Sequence, residues 1–333
     1  MKRLFKLSSL KALALVFVAI ATVAGLPARA DDYPSKPIRV ISDSAPGSAV
    51  DVALRMVMDR LGKVLGQQIV PVPMPGASGA IAAHAASQAV PDGYTLFAPA
   101  SSLFITLPGK AENLPLVLPR DFLPVGSLIE IPFFLCTSAS SGIKTLPELI
   151  ARAKARPGQI GFAASGIGRL SHLTGLLLED RAGIEFQVVP YSGGPAAALG
   201  DVIAGRVPVI TEGYASLAGA IRAHTLNLLA VGLTHRLSDF PDLPTVAETL
   251  PGFAATGWVG MVAPLGTPTP MIQKINDGLK QVLSEPDLGA ELASRGVYPE
   301  PMAPPEVNTY ITKLQIQWKP VLERFEASQS HPH

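Results

Sequence analysis

The sequence predicts an α/β protein of two domains, and three observations carry that expectation. Short β-branched runs alternate with segments whose apolar residues recur every three to four positions, the pattern of strands joined by crossover helices into largely parallel sheets. The joins are rich in glycine, serine and proline, as tight strand-to-helix turns require. The chain has 333 residues, too many for one small domain, and 48% of them are apolar, ample for real cores.

Taken in order, Ile38–Ile41 reads as the first strand. Ser48–Leu65 follows as a helix, with Val50, Ala53, Leu54, Val57, Met58, Leu61 and Leu65 on one face. Ile69–Val72 is a second strand, Gly79–Ala89 an alanine-rich helix and Tyr94–Ala98 a third strand. Further strands are expected at Val125–Ile129, Phe133–Thr137, Ile160–Ala163, Phe186–Val189, Val207–Thr211, Leu228–Val231 and Val259–Val262. Helices are expected at 146–155, 171–182, 195–204, 215–223, 269–283 and 305–327. The 32 prolines cluster at segment joins, where they act as breakers and rigid turns.

The first thirty residues read as a separate object. Lys2, Arg3, Lys6 and Lys11 precede an apolar run, Ala12 to Leu26, of 15 residues. Ala28-Arg29-Ala30 then places small residues where a signal peptidase reads, so cleavage after Ala30 is expected. A membrane anchor would need about 20 apolar residues. No cysteine follows the run for lipidation, and no Arg-Arg pair marks the twin-arginine route. The complete chain has 27 basic and 26 acidic residues; cleavage would leave 22 and 26, net −4. Such a balance carries no basic excess for general nucleic-acid binding. The lone Cys136, in an apolar stretch, cannot form an internal disulfide and reads as a buried structural thiol. A nearly cysteine-free exported chain suits the bacterial periplasm.

Enzyme fingerprints are incomplete. Gly166-Ile-Gly168 lacks the third glycine of a dinucleotide loop, and no phosphate-binding G-x(4)-G-K-[ST] or nucleophile-elbow G-x-S-x-G occurs. The six histidines are scattered, with no metal-ligating spacing. His172, at a helix start, can cap, pack or face a cleft. What stands out is a set of similar loops: Ser44-Ala-Pro-Gly-Ser-Ala49, Pro75-Gly-Ala-Ser-Gly79, Pro99-Ala-Ser-Ser102, Ser165-Gly-Ile-Gly-Arg-Leu-Ser171 and Ser192-Gly-Gly-Pro195. In open α/β sheets such loops gather at the carboxyl ends of the strands, where ligands bind. Glycines let the backbone approach a ligand, and helix N-termini favour an anion.

The order of several motifs resembles the Bug receptors, solute-binding proteins of tripartite tricarboxylate transporters. They are Tyr33-Pro-Ser-Lys-Pro-Ile-Arg39, Pro46-Gly47 with Asp51, Pro75-Gly-Ala-Ser-Gly79, Pro91-Asp-Gly-Tyr-Thr-Leu96, Asp121-Phe122 and Ser171-His-Leu173. Val189-Pro-Tyr191, Asp242-Leu-Pro-Thr-Val-Ala-Glu248, Pro251-Gly-Phe253 and Ala263-Pro-Leu-Gly-Thr-Pro268 follow. The resemblance implies a two-lobed, type II-like periplasmic-binding-protein fold whose cleft lies between lobes joined by two crossing strands, near Ile131–Thr137 and Thr256–Val262. Lobe one would be residues 31–132 plus 257–333, and lobe two 133–256. It implies a periplasmic receptor, acting as a monomer without metal, cofactor or catalytic residue, that captures a small organic acid for membrane permease subunits. Ligand contacts would come from Ser44, Gly47, Ser48, Asp51, Ser78, Gly79 and Ser101 in lobe one. Those of lobe two would be Ser165, Arg169, Ser171, His172, Tyr191 and Glu212.

The ligand-facing loops depart from the family pattern where the scaffold motifs do not. Asp43-Ser44 replaces a usual Pro-Phe, Ser48 a glycine, Val50 a threonine, Ala80 an asparagine, and Ser192 a lysine. Glu212 stands where Asp is common, and Arg169 where a small polar residue is usual. Loss of a Phe and an Asn leaves room for an aromatic or extended acid. Asp43 in the cleft would repel an anion or pair with an amine. Arg169 can hold a second carboxylate bidentately, or pair on the surface with Glu179, Asp180 or Glu212. Two other function classes remain open at this level: an exported sensor feeding a two-component kinase, and an exported α/β hydrolase, against which the missing nucleophile–base set argues.

Overall fold

The computed structural model describes residues 33–76, 79–105, 120, 122–167, 169–191 and 194–330. The proposed leader 1–30, with Ser78, Asp121 and Ser192, lies outside them. Among the described residues ten strands form one sheet, in which β4 (Phe122–Ser138) is shared by two halves.

In the first half, β1 (Ile38–Ser42) runs parallel to both β2 (Ile69–Pro73) and β3 (Thr95–Ala98). Helix α1 (Ala49–Leu65) and helix α2 (Ala80–Ser87) make the crossovers. The short α3 (Ser102–Ile105) follows β3. In the second half, β5 (Ile160–Ala164) runs parallel to β6 (Phe186–Pro190) and β7 (Val209–Gly213), while β8 (Leu226–Val231) pairs with β4. Its helices are α4 (Leu146–Ala155), α5 (Leu170–Ala182), α6 (Pro195–Ile203), α7 (Tyr214–Arg222) and the single turn α8 (Val246–Thr249). The chain then adds β9 (Thr256–Pro264), α9 (Thr269–Leu283), α10 (Pro286–Ala293), β10 (Tyr298–Pro299) and α11 (Pro304–Ser330).

The expectation of largely parallel sheets holds for the outer strands and fails at the centre. β4 runs antiparallel to β9, β7 and β8, and β9 is antiparallel to β3. The reason is the crossing: β4 carries the chain out of the first half, and β9 brings it back. The two strands expected at Val125–Ile129 and Phe133–Thr137 are one. Residues 122–132 of β4 pair with β9, and residues 133–138 pair with β7 and β8. Register shifts between Pro124 and Gly126 and between Ser127 and Ile129 bend the strand, as bulges do.

The return path is stitched to β4 through Gly232, whose N–H donates to the Phe133 carbonyl (2.8 Å) while its own carbonyl accepts from Ala255 N–H (2.7 Å). A Cβ there would stand 2.3 Å from the Ala255 oxygen, so only glycine fits. In β9 the Trp258 indole lies across Gly260 on the same strand face, and its Nε1–H donates to Ser127 Oγ at 2.6 Å.

Two motifs of the family resemblance build turns of this scaffold. In Pro91–Leu96, Asp92 Oδ1 accepts from Tyr94 N–H (3.0 Å) across a left-handed Gly93, and Lys36 lies over the Tyr94 ring. In Pro244–Glu248, Thr245 and Glu248 form a capping box, and Arg236 grips Glu248 through two bonds of 2.8 and 2.7 Å. Helix α1 is capped by Ser48 and stopped by Gly66 in the left-handed region, burying Ala53, Leu54, Val57, Met58 and Leu61.

One core of the second half lies against α4 and α5; the other, against α6 and α7, takes in Cys136. Burial pushes the Cys136 thiol far up, so it is an inert packing group. Leu314, Trp318 and Val321 of α11 enter the core that holds Leu173 and Leu177, while Val307 and Ile311 enter that of the first half. The last helix therefore straddles both halves. Among the described residues no helix is long and apolar enough to cross a membrane.

Candidate functional site

The loops that leave β1 and β5 place Arg169 within electrostatic reach of two carboxyls, Asp43 after β1 and Glu212 in β7. Asp43 follows β1 and is half-buried. Its Oδ1 accepts from Ala100 N–H (3.2 Å) in the loop after β3, and its Oδ2 would lie 3.0 Å from a Cβ on Gly79, the residue before α2. Three loops thus converge on one carboxyl, and Gly79, at φ 96°, leaves Leu103 and Asp43 the room that a Cβ would take.

Glu212 is 6% exposed, and its Oε1 has no hydrogen-bond partner. Burial raises its pKa to about 7; the Ser165 hydroxyl, the Arg169 charge, the Ser171 hydroxyl and the Gly213 N–H act against that rise without any of them closing on Oε1. Burial likewise raises Asp43 to about 6, opposed by the backbone bonds of Ala100 and Asp43 and by the Arg169 charge. One guanidinium therefore acts on a carboxyl of each half.

Arg169 occupies the N-cap position of α5 and is exposed. Its stem folds over Gly166, where a Cβ would meet Arg169 Cδ at 2.7 Å, and the Gly166 φ of 149° is one that glycine adopts without strain. Two of the surface partners weighed for it are engaged elsewhere. Asp180 pairs with Arg324 (2.6 Å), and Glu179 accepts from Phe186 N–H (2.6 Å). Arg169 makes no ion pair within 4 Å among the described residues.

The other expected contacts divide. Ser165 and Ser171 are buried and joined through their hydroxyls (2.7 Å), beside Glu212. His172 follows them, 3% exposed, its pKa lowered by burial, which keeps the imidazole neutral. Ser44 Oγ is 2.6 Å from Ser42 Oγ, next to Asp43. Five others make hydrogen bonds within the scaffold. Ser48 Oγ accepts from Asp51 N–H (3.2 Å), and Asp51 Oδ2 accepts from Gly47 N–H (2.9 Å) and Arg55 Nε (3.1 Å), so Gly47, Ser48 and Asp51 close one turn. Ser101 exchanges two bonds with Trp258, tying the loop after β3 to β9. Tyr191 donates to Asp201 Oδ2 (2.6 Å) within the second half. Asp43 is the residue that the expected contact set omits; its signal was the acid standing where the family has Pro-Phe.

Among the described residues no group of three His, Cys, Asp or Glu is placed to hold a metal ion. A surface depression of about 680 Å³ lined by Asp59, Arg60, Lys63, Glu285 and Asp287 lies elsewhere, between α1 and the α9–α10 segment; the ion pairs of Arg60 fill its floor.

Residues 53–326 match the model of the tripartite tricarboxylate transporter family receptor. The chain is 32% identical to Protein BugT of Bordetella pertussis over 310 residues, 92% of this chain and 94% of BugT. Among solved structures it resembles Rpa4515 of R. palustris, determined with adipate, at a TM-score of 0.77 and 26% identity, covering 88% of this chain and 98% of that one. It also resembles MatC of Rhodopseudomonas palustris, determined with bound malate, at 0.71 and 28%, covering 87% and 100%. These relatives are two-lobed α/β solute-binding proteins rather than enzymes, and this chain belongs to the same family, the Bug-type receptors of tripartite tricarboxylate transporters.

Proposed function

We propose that the protein is exported after cleavage at Ala30 and captures a small organic acid in the periplasm, between lobe 31–132 plus 257–333 and lobe 133–256, for membrane permease subunits of a tripartite tricarboxylate transporter. The observation that carries this reading is Arg169, a guanidinium with no ion pair among the described residues whose charge reaches both Asp43 and Glu212. A planar fork of donors in that position suits a carboxylate. The relatives solved with adipate and malate support the same ligand class. Ser44, Gly79, Ser165, Ser171 and His172 line the proposed cleft, while Gly47, Ser48, Asp51, Ser101 and Tyr191 hold its loops in shape; Ser78 completes the ligand set.

The test is native mass spectrometry of freshly purified protein, followed by release and identification of any retained molecule. The expected result is one carboxylic acid per chain. Retention of a molecule without a carboxyl, together with no binding of adipate or malate in calorimetry, would overturn the reading.

A further inference from the structure

We propose that the turn of residues 295–300, between α10 and α11, is a proton-operated latch: it fastens the first half of the molecule to the second, and ionisation of the acids Glu130 and Glu300 beside it lets it go.

The turn belongs to the first half. Gly296 N–H donates to the Ala293 carbonyl at the end of α10 (2.8 Å), and β10 runs antiparallel to β4, with Tyr298 opposite Glu130 and Pro299 opposite Ile129. Its far side is seated on the second half. At Gly296, φ 70°, a Cβ would stand 2.4 Å from Tyr214 Cβ, so the backbone lies directly on the first residue of α7. Tyr298 packs on the same core as Tyr214 and Phe240, and its hydroxyl donates to Asp239 Oδ2 in the segment after β8 (3.1 Å). β4, β9 and α11 join the halves as continuous elements. The turn joins them by packing and one exposed hydrogen bond, a contact that can part without breaking an element.

The acids sit where this turn meets β4. Glu300 N–H donates to the Leu128 carbonyl (3.2 Å), which carries the β10–β4 ladder one pair beyond Pro299. Glu130 lies opposite Tyr298 in that ladder, so Glu300, two residues past Tyr298, is its diagonal neighbour on the same face, with Cβ atoms about 7–8 Å apart. Both are half-buried. On the other side of β4, Trp258 of β9 stands opposite Glu130, and Tyr310 of α11 packs on the Trp258 ring (centroids 5.1 Å). The polar groups facing the two acids are Thr256 of β9, Tyr310 of α11 and, from the second half, His235; Asp239 and Tyr214 face Tyr298. The guanidinium groups nearest in sequence are engaged elsewhere, Arg236 with Glu248 and Arg295 with Glu291.

The direction of the switch follows from that setting. Burial, then the Glu300 charge, raises Glu130 to about 7, with the Thr256 hydroxyl acting against the rise; burial raises Glu300 as well, against the charge of His235. The latched turn therefore holds protons that a released turn, with its acids in water, gives up. Release is favoured as pH climbs from 4.5 to about 7, and two like charges on one strand face then push the short ladder apart.

The test is hydrogen exchange read by mass spectrometry on the ligand-free protein at pH 5.5 and 7.5, with labelling times scaled to the intrinsic rate at each pH. Peptides covering 235–240 and 295–300 should open about tenfold more readily at pH 7.5 in the wild type, the factor given by one pH unit of proton linkage. In Glu130→Gln and in Glu300→Gln that rise should fall below about twofold, while peptides of α1 and β1 exchange as in the wild type and so report a kept fold. Tyr298→Phe, which keeps the ring and loses the bond to Asp239, should open both segments already at pH 5.5. No rise in the wild type, or a rise that survives unchanged in both glutamine variants, would overturn the proton link. Wild-type exchange of both segments in Tyr298→Phe at pH 5.5 would overturn the latch.

Discussion

Glu212→Gln should make the ligand-free protein more stable at alkaline pH and leave it nearly unchanged at acidic pH. In the folded chain burial holds the Glu212 carboxyl at about 7, against 4.5 without that burial. Between those values the folded state binds more protons than the unfolded one, so stability falls as pH rises through that window and the loss is complete above pH 7. At about 1.4 kcal/mol for each pH unit of displacement, the ionised carboxylate costs about 3 kcal/mol at pH 8. Glutamine keeps the side chain's length and carries no charge, so it escapes this cost. Asp43 and Glu130, raised to about 6 and about 7, keep their own pH dependence in both proteins; the difference between variant and wild type at each pH isolates Glu212. Urea unfolding followed by the fluorescence of Trp258 and Trp318, each 1% exposed, gives the measurement. The variant should gain up to about 3 kcal/mol at pH 8 and less than about 0.5 kcal/mol at pH 4. An equal change at both pH values would refute the assignment of Glu212 as a buried, unpaired acid.

Other outcomes follow from packing and architecture. In Gly175→Ala the new Cβ would stand 2.7 Å from the Phe162 ring, where α5 presses on β5, and thermal melts should show a loss of about 1–3 kcal/mol. Gly200→Ala, with nothing within 4 Å in the interior of α6, should instead gain about 0.5–1 kcal/mol. Small-angle scattering should give a smaller radius of gyration with saturating ligand if the halves that β4 and β9 join close on it; an unchanged radius would argue against a hinge. Mass spectrometry of a periplasmic extract should find a mature chain beginning at Asp31, and an intact Met1 in the membrane fraction would contradict the reading of the leader.

Much of this fold is legible in the residues because its signals are local. The face of α1 repeats every three to four positions from Ala53 to Leu61, and the cap and stop at Ser48 and Gly66 sit in the same segment. β4 reads as two strands because Pro124 and Pro132 interrupt the pattern; only pairing with β9 on one stretch and with β7 and β8 on the other makes it continuous. β10, two residues long, has no periodicity to read at all. The site is harder. Arg169 is visible in a glycine-flanked loop before a helix. The convergence of Asp43 with Gly79 and Ala100 is a product of strand order, β2-β1-β3, which brings distant loops to one sheet end. Tyr191 and Asp51 carry polar groups in the right loops; the structure bonds the Tyr191 hydroxyl to Asp201 and Asp51 Oδ2 to Gly47 and Arg55, while the buried Asp51 Oδ1 has no hydrogen-bond partner.

The central claim is that Arg169 holds a ligand carboxylate between the two halves. Calorimetry on wild type and Arg169→Ala tests it most directly, using whichever two-carboxylate acid the wild type binds and its one-carboxylate analogue. A desolvated guanidinium–carboxylate contact is worth about 1.5–3 kcal/mol, so the two-carboxylate acid should lose roughly 10- to 150-fold in affinity. The analogue, which lacks the second charge, should lose less than about threefold. Equal, small losses for both acids would place Arg169 in solvent and contradict the account.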